Sequence, residues 1–192
     1  ERIDTFKPRF AAVLNLTPDH LDRYETVSDY YAAKFNLFRN MDSADIAFVN
    51  GDDPETARWT GSFPEQTMTI GEGQGLVQIQ EDGLTLDDER LVNLDELQLM
   101  GRHNLYNAAF AAAMVAAAGI ERDAIRSGLC SFVPISHRLE LVGERNGVRF
   151  FNDSKATNFD SVIKALNSFD AIRLIAGGKF KGGDFDALLD AG

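Results

Sequence analysis

Cysteine is almost missing from this chain: Cys130 is the only one among 192 residues, so no disulfide can form within the chain. Long apolar runs are missing too, since the longest candidate, NAAFAAAMVAAAGI, falls short of the roughly 20 residues that a membrane-spanning helix needs. Basic residues are in deficit, with 19 Lys and Arg against 30 Asp and Glu, which opposes a general surface for nucleic acid or anionic lipid. These shortages predict a soluble, cytoplasmic protein without a nucleic-acid or membrane partner, and nothing in them predicts an oligomer.

The first 60 residues predict an α/β sheet. A continuous apolar run, AAVLNL at 11–16, is typical of a strand buried on both faces. It is followed by a segment with helical spacing at 27–41, for which Ser28 is the expected N-cap, and by a second apolar run within 45–54. A strand, a helix and a strand of these lengths predict a right-handed parallel crossover.

The remaining segments predict hairpins, helices and a further strand. Short alternating runs at 67–93 predict β-hairpins at a sheet edge or in a flap, and an Ala-rich helix should end at Gly119. Further expected elements are a helix at 121–132, two strands within 139–153 joined by Asn146-Gly147, a helix at 158–169 and a buried strand at 171–178. An irregular stretch at 133–137 predicts a domain boundary, with domains at 1–134 and 135–192.

Ligands of open α/β sheets bind beyond the carboxyl ends of the strands, and polar segments follow the predicted strands there. These segments are TPDHLDR at 17–23, NGDD at 50–53, NDSKATN at 152–158 and GGKFKGG at 177–183. His20 in the first of them has two open interpretations. It is an exposed loop residue between acids, or it binds a metal ion or a phosphate.

Lys34 is unusual because it lies among aromatic residues on a helix that should pack on the sheet. One interpretation is a lysine whose stem is buried while its amine reaches water. The other is a partly desolvated lysine with enough neutral amine to react with carbon dioxide. The resulting carbamate would be a carboxylate able to hold magnesium.

Two asparagines and an arginine are further candidates. Asn104 could cap the Ala-rich helix, whereas capping does not explain Asn107, whose amide offers the donor and acceptor needed to read a planar base edge. Arg138 is either a solvated side chain or a phosphate-pairing fork.

NDSKATN concentrates groups that suit an anion at a helix N-terminus. Asp153 could accept from ribose hydroxyls or cap the following helix, and Lys155 supplies a positive charge. Ser154 and Thr157 add hydroxyls, and Lys181 lies on a glycine-rich loop able to close over a carboxylate or phosphate.

Taken together, these motifs resemble the Mur ligase family. The resemblance is carried, in this order, by NLTPDHLDRY, YYAAKFNLF, NGDDP, GRHNLYNAAFAAA, SHRLE, NDSKATN and GGKFKGGDF. It extends over essentially the whole chain, and NDSKATN with NLTPDHLDRY is similar to the members that add D-glutamate. It implies the later part of a central parallel-sheet ATPase domain with a hairpin flap, followed by the start of a Rossmann-like α/β C-terminal domain.

The resemblance also implies an activity and residue roles. The activity is ATP- and Mg²⁺-dependent ligation of D-glutamate to UDP-N-acetylmuramoyl-L-alanine through an acyl phosphate, in peptidoglycan precursor synthesis. Catalytic roles are implied for Lys34, His20 and Lys155, with magnesium held by His20 and by Lys34 as its carbamate. Nucleotide binding is implied for Asn104, Asn107, Arg138, Asp153 and Lys155, and substrate binding for Ser154, Thr157 and Lys181.

One family motif is missing from the sequence. The glycine-rich phosphate loop GxxxxGK[ST] occurs nowhere, and GGKFKGG lacks the hydroxyl that follows the lysine. The sequence is therefore expected to be an internal fragment that is inactive alone. The alternatives are another Mur or folylpolyglutamate-type ligase, or a non-catalytic nucleotide-binding module.

Overall fold

The computed structural model describes residues 3–18, 23–178 and 185–191. It divides the chain into two compact units. The first contains Glu1–Leu97 and Leu105–Ser131, and the second contains Gln98–Asn104 and Phe132–Gly192. The predicted boundary between residues 134 and 135 concerns the family's domains, and it stays a prediction beside this division.

The first unit is built on one six-stranded sheet among the described residues. Its strands are β1 (Phe10–Val13), β2 (Ile46–Asn50), β3 (Thr67–Glu72), β4 (Val77–Gln80), β5 (Gly83–Leu86) and β6 (Glu89–Asn93). Its helices are α1 (Val27–Phe35), α2 (Pro54–Ala57), most of α3 (Arg102–Ala117) and α4 (Arg122–Ser131). Short 3₁₀ turns occur at Asn36–Phe38, Thr60–Ser62 and Leu94–Glu96.

The sheet has its strands in chain order, and its parallel part confirms the predicted α/β class. Strands β1 to β4 pair in parallel, and β4 to β6 pair antiparallel. The hairpins predicted at 67–93 therefore begin only at β4. β3 pairs in parallel with β2 as well as with β4, and its Ile70 is fully buried, so β3 is an interior strand rather than part of a flap.

Two apolar faces cover β2. Ala47 and Val49 join a buried cluster with β1 and α1 that includes Phe35, against which Trp59 stacks at a ring-centroid distance of 5.0 Å. Phe48 is 0% exposed and points to the opposite face, because successive strand residues alternate sides. A strand buried on both faces reads as a continuous apolar run, which explains the sequence pattern.

Capping hydrogen bonds and backbone angles mark the ends of the helices, and the N-cap predicted for α1 is wrong. The N-cap of α1 is Thr26 and not Ser28: Thr26 Oγ1 accepts from Asp29 N at 3.1 Å, and Asp29 Oδ2 accepts from Thr26 N at 3.1 Å. This reciprocal capping box needs the three-residue spacing from Thr26 to Asp29, which Ser28 lacks. At the C-terminal end of the Ala-rich helix α3, Gly119 has φ +85°, the left-handed conformation predicted for this position.

Besides the first residues of α3, the second unit contains a two-stranded hairpin and two helices among its described residues. They are β7 (Glu140–Arg145), β8 (Val148–Asn152), α5 (Phe159–Leu166) and α6 (Phe185–Asp190). Positive φ values at Asn146 and Gly147 confirm the predicted tight turn. The strand predicted at 171–178 is wrong: this segment pairs with no strand among the described residues, and Ile175 is 98% exposed. Apolar content alone makes no strand, because a strand needs a neighbour for its N–H and C=O groups.

Candidate functional site

The loop that follows β1 is fixed by side chains from three other segments. Its Leu14 carbonyl accepts from Asn50 Nδ2 at 3.0 Å, and the Leu16 carbonyl accepts from the Tyr31 hydroxyl at 3.1 Å. The Leu16 N–H donates to Asp53 Oδ2 at 2.8 Å. Because Asp53 also caps α2, one carboxylate joins the ends of β1 and β2 at the carboxyl edge of the sheet.

Lys34 reaches the same loop from α1. Its Nζ donates to the Asn15 carbonyl at 3.3 Å and lies 5.0 Å from the ring centroid of Tyr30. Lys34 borders a cavity of about 300 Å³. The cavity is lined by Ala12, Val13, Leu14, Asn15, Lys34 and Leu37. The amine therefore lies at the carboxyl end of β1, where an open α/β sheet binds its ligand. His20 lies outside the described residues.

In the second unit, the loop before β7 is hydrogen-bonded to the loop after β8. The Lys155 N–H donates to the His137 carbonyl at 3.2 Å, and the Leu139 N–H donates to Asp153 Oδ1 at 3.1 Å. The His137 ring and the Asn152 amide are hydrogen-bonded at 2.8 Å. These bonds hold the backbones of Arg138, Asp153 and Lys155 close to one another.

The NDSKATN segment leaves several of its side chains at the surface. Ser154, Lys155 and Thr157 are exposed, and Asp153 is half-buried. Asp153 does not cap the next helix. Asn158 does so, with its Oδ1 accepting from Ser161 N at 2.9 Å, because only Asn158 directly precedes α5. Lys181 lies outside the described residues.

Asn104 and Asn107 both lie on α3, and the capping role predicted for Asn104 is wrong. The helix begins at Arg102, so Asn104 is already inside it, and Asn104 Nδ2 donates back to the Met100 carbonyl at 2.7 Å. Asn107 follows one turn later and is exposed. Asn104 belongs to the second compact unit and Asn107 to the first.

His103 is half-buried in the second unit, and sequence reasoning gave it no role. Burial holds the pKa of its imidazole below the usual value of 6.5, and the positive charges of Lys164 and Arg138 lower it further. The carboxylates of Asp153 and Asp160 oppose the shift. Arg138 and Asp153, which are predicted to bind the nucleotide, are therefore close enough to His103 to influence its pKa.

We expect His103 to titrate below pH 6.5 in an NMR titration of its ring protons. The unfolded chain then binds more protons than the folded chain between the two pKa values, so this group's contribution to stability is lost as the pH falls through that window. The His103→Gln variant assigns the signal, because the sequence has only 3 histidines. A midpoint at or above 6.5 would contradict the burial of a neutral ring.

Asp52 and Tyr106 are a pair that sequence reasoning missed. The Tyr106 hydroxyl on α3 donates to Asp52 Oδ2, directly after β2, at 2.6 Å. A tyrosine on a helix and an aspartate 54 positions earlier carry no shared sequence signal. Only the packing of α3 beside the ends of β2 and β3 brings them together.

These features define an α/β protein whose polar loops follow the parallel strands at their carboxyl ends. A family model described as the Mur ligase middle domain matches residues 1–115. The chain belongs to the Mur ligase family. No helix in the described part of the chain is long and apolar enough to cross a membrane.

Individual relatives agree with this assignment. The chain is 38% identical over 203 residues to the UDP-N-acetylmuramoylalanine–D-glutamate ligase of Alkaliphilus metalliredigens, covering 100% of this chain and 44% of that relative. It superposes on MurF from Acinetobacter baumannii with a TM-score of 0.70 and 25% identity, covering 84% of this chain and 37% of that one. The MurF ligase of Thermotoga maritima, solved in complex with ADP, shares the fold with a TM-score of 0.66 at 18% identity, covering 84% of this chain and 39% of that one. The chain thus spans less than half the length of these relatives.

Proposed function

We propose that the protein carrying this chain is an ATP-dependent ligase that joins D-glutamate to UDP-N-acetylmuramoyl-L-alanine, in cytoplasmic synthesis of peptidoglycan precursors. The observation that carries this proposal is the 38% identity to a D-glutamate ligase over the whole chain. NDSKATN, which resembles the D-glutamate-adding members, supports the choice of amino acid.

The chemistry is the activation of a carboxylate. ATP transfers its terminal phosphoryl group to the carboxylate of the alanyl substrate, which gives an acyl phosphate and ADP. The amine of D-glutamate attacks the acyl carbon, and phosphate leaves as the amide forms. Both steps move negative charge between oxygens, so the protein acts mainly by positioning the groups and by electrostatic stabilisation.

Residues of the second unit supply local positive charge. The chain as a whole carries a formal charge of −11, so an anionic nucleotide needs cations placed beside it. In the proposal Arg138 and Lys155 supply them, Asp153 accepts from the ribose, and Ser154, Thr157 and Lys181 bind substrate. Asp153 commits Oδ1 to the Leu139 N–H, which leaves its other oxygen for a ribose hydroxyl.

Asparagine amides offer both the donor and the acceptor that recognition of adenine needs. Asn104 and Asn107 are proposed on the adenine side. Asn107 is an exposed residue of α3, which supports its proposed contact with a ligand.

The surroundings of Lys34 fit a magnesium site. Its amine donates to the Asn15 carbonyl at the end of β1, and Lys34 lines the cavity of about 300 Å³. Oxygen is the ligand that Mg²⁺ prefers, and a carbamate would supply it where, among the residues that the structure describes, no Asp or Glu side chain lines the cavity. In the proposal Lys34, as its carbamate, and His20 would hold the ion, which would supply positive charge to neutralise the phosphates.

The proposal is tested with the full-length gene product that contains this sequence. Given ATP, Mg²⁺ and UDP-N-acetylmuramoyl-L-alanine, it should release ADP and phosphate only when D-glutamate is present, and mass spectrometry should find the ligated product. L-Lysine, D-alanyl-D-alanine and L-glutamate are the matched acceptors. A preference for one of them over D-glutamate would assign the chain to another ligase of the family. Tight ADP binding without ligation would favour a nucleotide-binding module.

The 192-residue chain alone should give little or no ligation, because its sequence contains no GxxxxGK[ST] loop to cradle the phosphates. The same assay compares it with the full-length protein. Turnover by the chain alone at the rate of the full-length protein would contradict this expectation.

A further inference from the structure

The carboxylate of Asp52 is held by three donors from two segments of the first unit, the end of β3 and α3. Asp52 Oδ2 accepts from Glu72 N at the end of β3 at 2.7 Å and from the Tyr106 hydroxyl on α3 at 2.6 Å. Asp52 Oδ1 accepts from Gln74 Nε2 at 3.3 Å. An exposed aspartate is normally solvated by water, so this arrangement marks a carboxylate with a fixed position. The proposed function uses none of these side chains.

The backbone around Asp52 packs too closely for additional side chains. A Cβ atom added at Gly71 would lie 2.7 Å from Asp52 Oδ2, and one added at Gly51 would lie 2.5 Å from Gln74 Nε2. Both distances are shorter than a van der Waals contact. The glycines therefore allow the loops after β2 and β3 to close around the carboxylate.

The hydrogen bond from Tyr106 links α3 to this fixed carboxylate. The buried side of the helix contains Leu105, Phe110 and four alanines, and these side chains hold the helix in the core. A hydrogen bond is directional, so the bond from Tyr106 to Asp52 fixes both the rotation and the axial position of this turn. The next residue on the helix is Asn107.

We infer that Tyr106 is a positioning residue for nucleotide recognition: its hydrogen bond to Asp52 sets the place of the Asn107 amide at the carboxyl edge of the sheet. The inference rests on the proposed function, in which Asn107 reads the adenine base. Tyr106 itself touches no ligand in this account. Its role is to hold the amide where it distinguishes adenine from other bases.

The test is the discrimination between ADP and GDP by the full-length protein. We expect Tyr106→Phe, which removes only the hydroxyl, to weaken ADP binding about fivefold, the size of effect expected for one typical net hydrogen bond. GDP binding should stay nearly constant, so the preference for ADP over GDP should decrease. The KM for ATP should rise while the KM for D-glutamate does not. An unchanged ratio would overturn the inference.

Two further variants separate positioning from general loosening. Gln78→Ala removes two other side-chain hydrogen bonds, from Gln78 Nε2 to Asp88 and from Gln80 Nε2 to Gln78 Oε1, and should leave the ratio of ADP to GDP affinity unchanged. With Asn107→Ala already present, Tyr106→Phe should have no further effect on the ratio, because both act through the same amide. Additive effects of the two substitutions would contradict the inference. If Tyr106→Phe does not fold, Asp52→Ala should decrease the preference for ADP over GDP in the same way.

The outcome for the proposed function can be read separately. A wild-type protein that ligates D-glutamate and prefers ADP, while its Tyr106→Phe variant keeps the full preference, refutes only the role of Tyr106. A wild-type protein that neither ligates nor prefers ADP over GDP refutes both proposals.

Discussion

Replacing Lys34 with alanine is expected to lower the kcat of the full-length protein in the proposed ligation by at least about a hundredfold. The proposed carbamate supplies a carboxylate to magnesium, and the charge stabilisation by a bound metal ion contributes several kcal/mol to catalysis. Each 1.36 kcal/mol corresponds to about a factor of ten in rate. Steady-state release of phosphate in the presence of D-glutamate measures the effect.

Two other lysine variants and a rescue experiment separate the carbamate from a simple cation. Lys34→Arg keeps a positive charge but is always protonated and forms no carbamate, so it should be as inactive as Lys34→Ala. Short carboxylic acids should restore part of the activity of Lys34→Ala, because they supply the missing carboxylate. Lys7→Ala, which removes the ion pairs of Lys7 with Asp42 and with the buried Asp45, is the control for the loss of a lysine elsewhere in the unit and should remain active. An active Lys34→Arg variant would instead support a lysine that acts only through its charge.

Phe48→Ala is expected to destabilise the 192-residue chain by about 3–5 kcal/mol, the cost of truncating a fully buried aromatic side chain. Phe48 lies in β2, between β1 and β3, and is 0% exposed. Urea denaturation measures the loss. Trp59, the single tryptophan, stacks on Phe35 in the same unit and therefore reports its unfolding by fluorescence.

The controls for Phe48 vary burial and volume independently. Phe6→Ala removes the same ring from a site that is 53% exposed, and should change stability by no more than about 0.5 kcal/mol. Phe48→Leu leaves a smaller cavity and should cost less than Phe48→Ala. Equal losses for Phe6→Ala and Phe48→Ala would show that the sheet is not the core of this unit.

Local patterns predicted most elements correctly, because their causes are close together in the sequence. The turn at Asn146-Gly147 needs two residues that tolerate positive φ, and Gly119 ends α3 for the same reason. The sequence pattern does not identify the cap where several nearby residues have side chains that can accept a hydrogen bond. Thr26 caps α1 where Ser28 is predicted, and Asn158 caps α5 where Asp153 is a predicted candidate, because capping depends on a single hydrogen-bond register.

The candidate site was predictable as a set of residue types and only partly as an arrangement. The motifs containing Lys34, Asn107 and Lys155 identify residues that carry charge or amides at strand and helix ends, and their roles remain proposals. The partners that fix them were not predictable. Lys34 donates to Asn15, and the Lys155 N–H donates to the His137 carbonyl, across loops whose approach is set by the fold.

The sequence by itself determined the α/β class, the family, and the chemistry available at the ends of the strands, because apolar periodicity, turn residues and motifs are local properties. Only the tertiary structure decided that β3 is an interior strand, that residues 171–178 form no strand, and that Tyr106 meets Asp52. Each of these depends on which distant segment lies alongside. Strand pairing and side-chain hydrogen bonds need a partner at about 3 Å, and the sequence alone does not identify that partner.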